Sequence, residues 1–448
     1  MPKKKTALTI EERLQQALVP AEEQPYEVPE NWVWTYWKNC GDLIAGSGFK
    51  KEFQEKKNLP IPFYKVGSLK FADNLGFLYD DENSIDEPIR NVLKATLIKE
   101  HSIIFAKIGE AIRLNRRAVN TEKCCIDNNL MAFTVNSIVL WRYAYFWTLG
   151  LDLYAYTNST TVPAIRKSDI ELINFPLPPL SEQQRIVERI EELFAKLDEA
   201  KERLQEVADS FAVRKAAILH KAFTGELTKQ WRRENGVSDA SWEEKTIGDV
   251  VLLLSGQDFP PTKYNSDGNG IPYITGASNF DDSYVLINRW TDEPSVIAQE
   301  NDVLLVCKGS GYGKTIIADF KEAHIARQIM ALRVKKVIDN YWLLYYLRNN
   351  NRFIKEQGQG LIPGLSRKVI LSLSINLPSL PEQHEIVRLI DYLLARERAA
   401  QQAAEQALAS IDLMKKSILA RAFRGELGTN KASEASALEL LKQVLAEN

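Results

Sequence analysis

The chain has 448 residues, of which 45% are hydrophobic and 26% are charged, a composition typical of a globular protein with two or three domains. Lys and Arg total 57 against 59 Asp and Glu, so the formal net charge of −2 excludes a histone-like or polybasic protein but not a basic face. Four cysteines without a C-x-x-C spacing argue against a zinc ribbon and a secreted disulfide framework, and no apolar run approaches the roughly 18 residues of a membrane helix.

The chain begins with a predicted helical extension, residues 1–28. Its opening sequence MPKKKTALTIEERLQQ becomes charged where a secretory signal peptide would place its apolar core. Since no membrane-length apolar segment follows either, we expect a cytoplasmic protein.

Residues 29–179 form the first of two predicted domains of mixed sheet and helix, of α/β or α+β class. Short β-rich runs such as SIIFAK (102–107) alternate here with turns and helical patterns. Basic residues cluster near the turns beside Asn, Gln, Ser and aromatic residues, a mixture that can position phosphates and reach base edges. The candidate nucleic-acid contacts are Lys50, Lys51, Lys65, Arg116 and Arg117. Any single one of them could instead be a solvated surface residue.

A long helical block, residues 180–228, follows the first mixed domain. Within PPLSEQQRIVERIEELFA (178–195) and beyond, apolar residues recur in alternating steps of four and three, which predicts a helix with a heptad seam. Ile186, Ile190 and Phe223 are candidates for helix pairing or for docking a partner. For Phe223 the stronger interpretation is a core residue of a helical hairpin.

Residues 229–379 contain a linker and the second predicted mixed domain, with runs such as DVLLVCK (302–308). Its candidate nucleic-acid contacts are Lys263, Lys308, Ser310, Tyr312, Lys314 and Arg327. Several of them belong to KGSGYGKT (308–315), which resembles a phosphate-binding Walker A loop but has one residue too few between its glycines. We interpret it as a tight glycine turn that approaches a phosphate backbone, or as a plain turn.

A second helical block, residues 380–428, repeats the first and is followed by a C-terminal tail, residues 429–448. PSLPEQHEIVRLIDYLLA (378–395) matches the first block at an offset of 200 residues, and KKSILARAFRGEL (415–427) matches KAAILHKAFTGEL (215–227) at the same offset. Ile386, Ile390 and Phe423 are here the candidates for helix pairing or docking, and for Phe423, as for Phe223, the stronger interpretation is a core residue of a helical hairpin. The chain is therefore an internal duplication of one mixed domain and one helical block.

Two equal helices in one chain most simply pair with each other. About 42 residues at 1.5 Å each give a rod of roughly 60 Å. Antiparallel pairing would place the two mixed domains at opposite ends, related by an internal pseudo-twofold axis. The alternative is a helical hairpin that serves only as a core.

No catalytic signature rises above chance in the sequence. There is no G-x-S-x-G elbow, no glycine-rich cofactor fingerprint and no metal-ligand spacing among the four histidines. Asp42 with Glu55 and Lys57 loosely fits a nuclease pattern, a spacing that arises by accident in a chain this charged. We therefore expect neither catalytic residues nor a metal site in this chain.

The two helical blocks resemble the repeated helical regions of type I restriction–modification specificity subunits. The motif PLPPLSEQQRIVERIEELF followed by KAAILHKAFTGEL carries the resemblance, and so do the openings EEQPYEVPENWVWTYWKNCGDL (22–43) and SWEEKTIGDV (241–250). One departure is Pro381, which stands where the first copy has Ser181. Proline suits the first turn of a helix, so the departure puts little in doubt.

The resemblance implies that each mixed domain is a target recognition domain reading one half of a split, asymmetric site on double-stranded DNA. The helices would set the gap between the half-sites and dock two modification subunits that methylate adenine, and restriction subunits would add translocation and cleavage. S-adenosylmethionine, ATP and Mg would then belong to the partner subunits, with no cofactor in this chain. Two alternatives stay open: a methylation-only or phage-defence assembly without restriction, and a coiled-coil adaptor that does not read DNA.

Overall fold

The computed structural model describes residues 9–158, 162–281, 284–309, 311–356 and 364–447. The chain divides into two compact units. Unit 1 comprises Met1–Arg203 and Leu408–Asn448, and unit 2 comprises Leu204–Ala407. Both divisions fall inside the two long helices. Each unit therefore contains one mixed domain, the first half of the helix that follows it and the second half of the other long helix.

The elements up to the end of the first long helix include ten strands and five α-helices among the described residues. The strands are β1 Val33–Tyr36, β2 Gly41–Ala45, β3 Ile61–Tyr64, β4 Phe77–Leu78, β5 Ser84–Ile85, β6 Ile103–Ala106, β7 Arg117–Asn120, β8 Cys125–Ile126, β9 Leu130–Val135 and β10 Asn174–Leu177. The helices are α1 Ile10–Ala17, α2 Glu87–Leu93, α3 Trp141–Leu149, α4 Lys167–Glu171 and α5 Leu180–Phe223.

The rest of the described chain repeats this order. Its strands are β11 Glu243–Thr246, β12 Val251–Ser255, β13 Ile271–Ile274, β14 Trp290–Thr291, β15 Ile297–Gln299, β16 Val303–Val306, β17 Thr315–Ile317, β18 Glu322–Ile325, β19 Ile329–Val334 and β20 Ser374–Leu377. Its helices are α6 Lys229–Glu234, α7 Ile247–Val250, α8 Asn340–Asn349, α9 Asn351–Glu356, α10 Arg367–Leu371, α11 Leu380–Ala422 and α12 Ala437–Glu447.

The mixed domain of unit 1 is built from two sheets and a short antiparallel pair. The larger sheet has the order β2-β9-β6-β7-β4, the smaller one β5-β3-β8, and β1 pairs with β10. Every side chain of β6 is buried, because that strand is central in its sheet and reads as a continuous apolar run. Trp37 and Phe105, both fully buried, stack at 5.9 Å in the core above it.

The mixed domain of unit 2 follows the same plan. Its sheets have the orders β12-β19-β16-β17 and β14-β13-β18-β15, and β11 pairs with β20. The register also repeats, since Ile103 of β6 lies opposite Phe133 and Val303 of β16 lies opposite Leu332. The copies differ at the sheet edges, where, among the described residues, β4 is present only in unit 1 and β15 only in unit 2. The internal duplication and the mixed fold class are thus confirmed.

Within each unit the halves of the two long helices pair antiparallel. In unit 1, Glu182 contacts Asn430 and Asp198 contacts Lys415. Residue numbers rise along α5 while those of the contacted residues fall, which is the sign of an antiparallel pair. In unit 2 the pairing has the same sense, because Glu382 contacts Arg232 and Glu397 contacts Arg214. The predicted antiparallel pairing of the two helices is confirmed in both units.

A Glu-Gln pair in the first turn of each long helix fixes the helix to its own mixed domain. Gln183 donates to the carbonyls of Ile138 and Pro178 at 2.9 and 3.0 Å and accepts from the backbone of Leu140 at 2.8 Å. Gln383 repeats these bonds with Val337, Pro378 and Asp339. Both glutamines are fully buried, so each satisfies backbone groups that would otherwise be orphaned at the helix start.

The glutamate of each pair is equally buried and binds the segment that follows the other helix. Glu182 accepts from the indole of Trp32 and from Asn430, each at 2.7 Å. Glu382 accepts from Thr228 at 2.7 Å and from Arg232 at 2.6 Å. In each unit, buried hydrogen bonds therefore join the start of one long helix to the segment that follows the other long helix.

The C-terminal tail completes unit 1. Leu441 of α12 is fully buried in the unit 1 core, and Arg13 of α1 donates to the carbonyl of Leu445 at 3.1 Å. Arg185 of α5 forms a two-bonded ion pair with Glu434, both bonds at 2.8 Å. The tail is thus an integral part of the unit that holds the first mixed domain.

Candidate nucleic-acid interface

In unit 1, four loops meet at one edge of the two sheets. They follow the carboxyl ends of β2, β3, β6 and β8, and we call them the loop edge of unit 1: residues 46–60, 65–76, 107–116 and 127–129. Backbone bonds join them. Ser47 donates to Ile126, Asp127 to Tyr64 and Lys107 to Asn129, each at 2.9 Å.

Unit 2 has an equivalent loop edge, formed by residues 256–270, 275–281, 307–309, 311–314 and 326–328 after β12, β13, β16 and β18. Gln257 donates to Ile325 and Ala326 to Ile274, both at 2.9 Å, and Cys307 donates to Gln328 at 2.7 Å. The same arrangement of loops is therefore built twice on one framework, with different side chains.

The first-domain candidates Lys50, Lys51 and Lys65 lie on the loop edge of unit 1. Lys50 and Lys51 are exposed, and Lys51 begins a single 3₁₀ turn. Lys65 is half-buried and donates to Gln54 at 2.9 Å, which ties two of the loops together. Cations held on loops over a rigid sheet are well placed to contact phosphates.

Arg116 and Arg117 have opposite environments although they are adjacent. Arg116 is exposed at the end of the 107–116 hairpin. Arg117 begins β7 with 5% of its surface exposed, and its guanidinium donates to the carbonyls of Asn115 and Leu151. Burial lowers the pKa of Arg117 to about 10. Arg117 therefore supports the hairpin from inside, whereas Arg116 is exposed, and a nucleic-acid contact by either residue stays a prediction.

The second-domain candidates that the structure describes also lie on their loop edge. Lys308 and Lys314 are exposed at the two ends of the β16–β17 hairpin, whose Gly309 and Gly313 have φ of +88° and +89°. The glycine loop is thus the turn of a β-hairpin, and its approach to a phosphate stays a prediction. Tyr312 is half-buried with its hydroxyl donating to the carbonyl of Lys355. Ser310 lies outside the described residues.

Two of the candidate cations are already paired with carboxylates. Lys263 lies 2.7 Å from Glu293, and Arg327 lies 2.6 Å from Asp258. All four side chains are largely exposed, so these pairs contribute little to stability and can exchange for a phosphate.

The structure adds two residues that the charge pattern missed. Gln328 is exposed on the turn after β18, and Asn128 is exposed on the equivalent turn after β8. A Cβ on Gly276 would lie 2.6 Å from Oε1 of Gln328, so the glycine leaves room for this side chain. Asn and Gln can read the adenine edge with two hydrogen bonds. The similarity of NNLMA (128–132) to RQIMA (327–331) could have drawn attention to these turns, although it aligns Gln328 with Asn129 and Asn128 with Arg327.

The six helix candidates all contribute to packing within the units. Ile186, Ile190, Ile386 and Ile390 are fully buried, and Phe423 is 5% exposed. Phe423 packs edge-on against Tyr143 at 5.3 Å, and the half-buried Phe223 packs in the same way against Trp342 at 5.3 Å. These side chains pair the helices and seat them against α3 and α8, so a docking surface would have to use exposed positions.

Among the described residues, no three His, Cys, Asp or Glu side chains come together in a group able to hold a metal ion. Within the same residues, no helix has the length and apolar character needed to cross a membrane.

Comparison with known proteins identifies relatives along most of the chain. The family model described as "Type I restriction modification DNA specificity domain" matches residues 29–209 and 240–407, well over half of the chain. The StySPI type I restriction enzyme specificity subunit of Salmonella potsdam is 29% identical, over 94% of this chain and 96% of its own. The MjaX specificity subunit of Methanocaldococcus jannaschii is 24% identical, over 85% of this chain and 92% of its own.

Solved structures show the same fold. The HsdS subunit from Thermoanaerobacter tengcongensis superimposes with a TM-score of 0.69 at 22% identity, covering 90% of this chain and 99% of that one. A chain from a structural study of complex assembly and conformational transition in the type I R-M system superimposes with a TM-score of 0.67 at 22% identity, covering 90% of this chain and all of that one.

Proposed function

The chain belongs to the family of type I restriction–modification DNA specificity subunits, and on this premise we propose that each of its two mixed domains reads one half of a bipartite, asymmetric DNA site. The observation that carries the proposal is the loop edge, which is built twice from equivalent loops while its side chains differ. Recognition of two different half-sites requires two domains that share one fold but present different side chains to the bases.

The side chains of the loop edges have two roles in this proposal: cations contact phosphates, and amides contact bases. Exposed lysines and arginines such as Lys51, Arg116 and Lys308 hold the backbone, and the amides of Asn128 and Gln328 read base edges. The net charge of −2 agrees with a subunit whose partners supply many of the phosphate contacts. On its own it then binds DNA weakly, with a modest dependence on salt.

In this proposal the chain is a non-catalytic subunit that directs adenine methylation or DNA cleavage by partner chains. The paired helices set the separation of the half-sites, and their exposed positions dock two modification subunits. S-adenosylmethionine, ATP and Mg act in the modification and restriction subunits. The complex acts on chromosomal and incoming DNA in the cytoplasm.

Mapping of methylated adenines in cells with and without the gene tests the proposal. We expect a split adenine motif that is present only with the gene. Exchange of residues 29–179 for the corresponding domain of a relative should change one half of the motif and leave the other half unchanged. If the complex assembles and no motif depends on the gene, the chain is an adaptor that does not read DNA.

A further inference from the structure

A cleft of about 570 Å³ in unit 2 lies beside the loop edge, between the β16–β17 hairpin, α8 and the paired helix halves. Four cations from four different elements line it: Lys215 of α5, Lys314 of the hairpin, Arg348 of α8 and Arg398 of α11. Asp281 is the one carboxylate among the described residues of the lining. The cleft therefore carries an excess of positive charge within a chain that is close to neutral.

Three of these cations have no ion-pair partner in the part of the chain that the structure describes. They are Lys215, Lys314 and Arg398, and all three are exposed. Arg348 donates to the carbonyl of Thr315 at 3.2 Å, which points its guanidinium along the wall of the cleft. Converging like charges in a concave surface raise the local potential and attract an anion.

The wall of the cleft also contains unsatisfied polar atoms. Thr315 lines the cleft with only 8% of its surface exposed, and its hydroxyl has no hydrogen-bond partner among the described residues. Oδ1 of Asn351, another lining residue, is likewise buried without a partner there. Buried polar atoms without partners are costly and rare, so the wall of the cleft is more polar than a packed core.

The other copy of the repeat carries different residues at the equivalent positions. In unit 1, Arg117 lies opposite Phe105 in the strand register, as Thr315 lies opposite Leu305 in unit 2. The guanidinium of Arg117 donates to backbone carbonyls, whereas threonine is too short to make such bonds. A cleft of about 780 Å³ lies beside Asn115 in unit 1, so the two copies differ in the residues that line the cleft.

The cations of the cleft are also absent or neutralised in unit 1. At the 200-residue offset of the helices, Lys415 and Asp198 replace Lys215 and Arg398, and these two form an ion pair at 2.5 Å. Tyr143 of α3 packs against Phe423, and Trp342 of α8 packs in the same way against Phe223. When α3 and α8 are aligned on these two residues, Leu149 takes the position of Arg348. This set of four cations is therefore specific to unit 2.

We propose that this cleft binds a phosphate group of the DNA backbone next to the half-site that unit 2 reads. The proposal rests on the proposed function and adds a specific phosphate anchor to it. Lys314 belongs both to the loop edge and to the cleft, so a strand leaving the loop edge passes the cleft. The guanidinium groups of Arg348 and Arg398 supply paired N–H donors that match phosphate oxygens, and the anchor contributes affinity without reading sequence.

The test uses the complex of the full chain with its modification subunits. The substitutions replace residues of the unit 2 cleft by those at the equivalent positions of unit 1. Arg348→Leu combined with Arg398→Asp installs what unit 1 carries at these positions, including a carboxylate beside Lys215. We expect about tenfold weaker binding of the specific site at about 0.1 M salt, a smaller salt dependence, and an unchanged preferred sequence. Lys314→Ala, on the exposed hairpin, is a second variant that does not alter the helices.

Arg396→Asp is the matched control, because Arg396 is exposed on α11 two residues from Arg398, does not line the cleft and lies over the ring of Tyr392. A scan of single methylphosphonates along the DNA locates the contact. We expect one or two neutralised positions beside the second half-site to weaken wild type and the control while leaving the double variant unaffected.

The remaining outcomes overturn the proposal. Binding by the double variant and by Lys314→Ala that equals the control, or a methylphosphonate profile that is the same in all proteins, excludes a phosphate anchor here. Unchanged DNA binding together with loss of thermal stabilisation by inorganic phosphate would assign the cleft to free phosphate instead. A wild-type complex without any sequence preference would refute the proposed function itself, and the anchor with it.

Discussion

The guanidinium of Arg232 donates to the fully buried carboxylate of Glu382 across 2.6 Å, and only 6% of the arginine side chain is exposed. The equivalent carboxylate in unit 1, Glu182, accepts instead from the neutral donors Trp32 and Asn430. The two copies thus keep the same buried acid and satisfy it by different means. This difference predicts different responses to mutation.

Arg232→Met should destabilise unit 2 by about 3–5 kcal/mol, because it leaves the charge of Glu382 buried without its partner. Glu182→Gln should cost unit 1 less, about 1.5–3 kcal/mol, since the replacement keeps the shape and removes only charge-assisted hydrogen bonds. Denaturant unfolding of the full chain, with hydrogen exchange to assign each transition to a unit, measures both. Equal losses of stability in the two variants would contradict the role assigned to Arg232.

Phe423→Ala should destabilise unit 1 by about 3–5 kcal/mol, because the ring is buried against Tyr143 between α11 and α3. Hydrogen exchange should accelerate in α3 while the mixed domain of unit 2 stays protected. Tyr392→Ala provides a control on the same helix, since Tyr392 is 53% exposed. Loss of modification-subunit binding without loss of stability would instead make Phe423 a docking residue.

Gln328→Ala should relax the sequence preference at one base pair of the half-site read by unit 2, at a cost of about 1–3 kcal/mol. The side chain is exposed and held beside Gly276, so its removal leaves the fold intact. Binding to a library of sites altered one base at a time measures the effect. A uniform decrease in affinity over all sites would show that Gln328 contacts only the backbone.

Lys50→Ala with Lys51→Ala should weaken binding to every site by a similar factor, because these exposed lysines reach phosphates and carry no sequence information. The slope of log K against log salt should fall by about 0.9 for each phosphate that the protein no longer neutralises. Lys94→Ala, on the turn after α2 and outside the four segments of the loop edge, serves as the control. Unchanged affinity would remove this pair from the interface.

Unit 2 should lose stability as the pH falls below 6.5, because burial lowers the pKa of His324 from that value. The imidazole is fully buried on β18 and stacked on Phe259 at 3.9 Å. The unfolded chain binds a proton more readily than the folded one below pH 6.5, so acid favours unfolding and stability returns as the pH rises. His324→Gln should reduce the slope of stability against pH, whatever its effect on stability at neutral pH. A slope equal to that of wild type would exclude His324 as the cause.

The sequence was most informative where the same pattern occurs twice. The 200-residue offset, the heptad spacing and the proline before each block predicted two antiparallel helices, and both begin at the expected leucines, Leu180 and Leu380. Alternating and continuous apolar runs indicated mixed sheet and helix, because side-chain period follows secondary structure. These predictions were well supported, because the same pattern in two different sequences indicates that both copies adopt the same structure.

Individual seam positions and side-chain environments were less predictable. Val207 and Met414 fit the heptad pattern and are 43% and 49% exposed, because a straight helix drifts relative to a strict seven-residue repeat. Adjacent Arg116 and Arg117 look equivalent in sequence, and only the strand pleat decides that the second faces the core. Gln328 carries no charge and so escaped a search for cations. Such details depend on interactions between distant residues that local patterns do not encode.

The division of the chain has a consequence for its biosynthesis. The core of unit 1 is covered in part by residues after Leu408, so the first mixed domain leaves the ribosome before its core can be completed. At about 5–20 residues per second, the synthesis of unit 2 leaves the surface of unit 1 incomplete for tens of seconds. During that interval the nascent chain exposes the apolar face that Leu419 and Leu441 later cover, which makes it a natural client for chaperones.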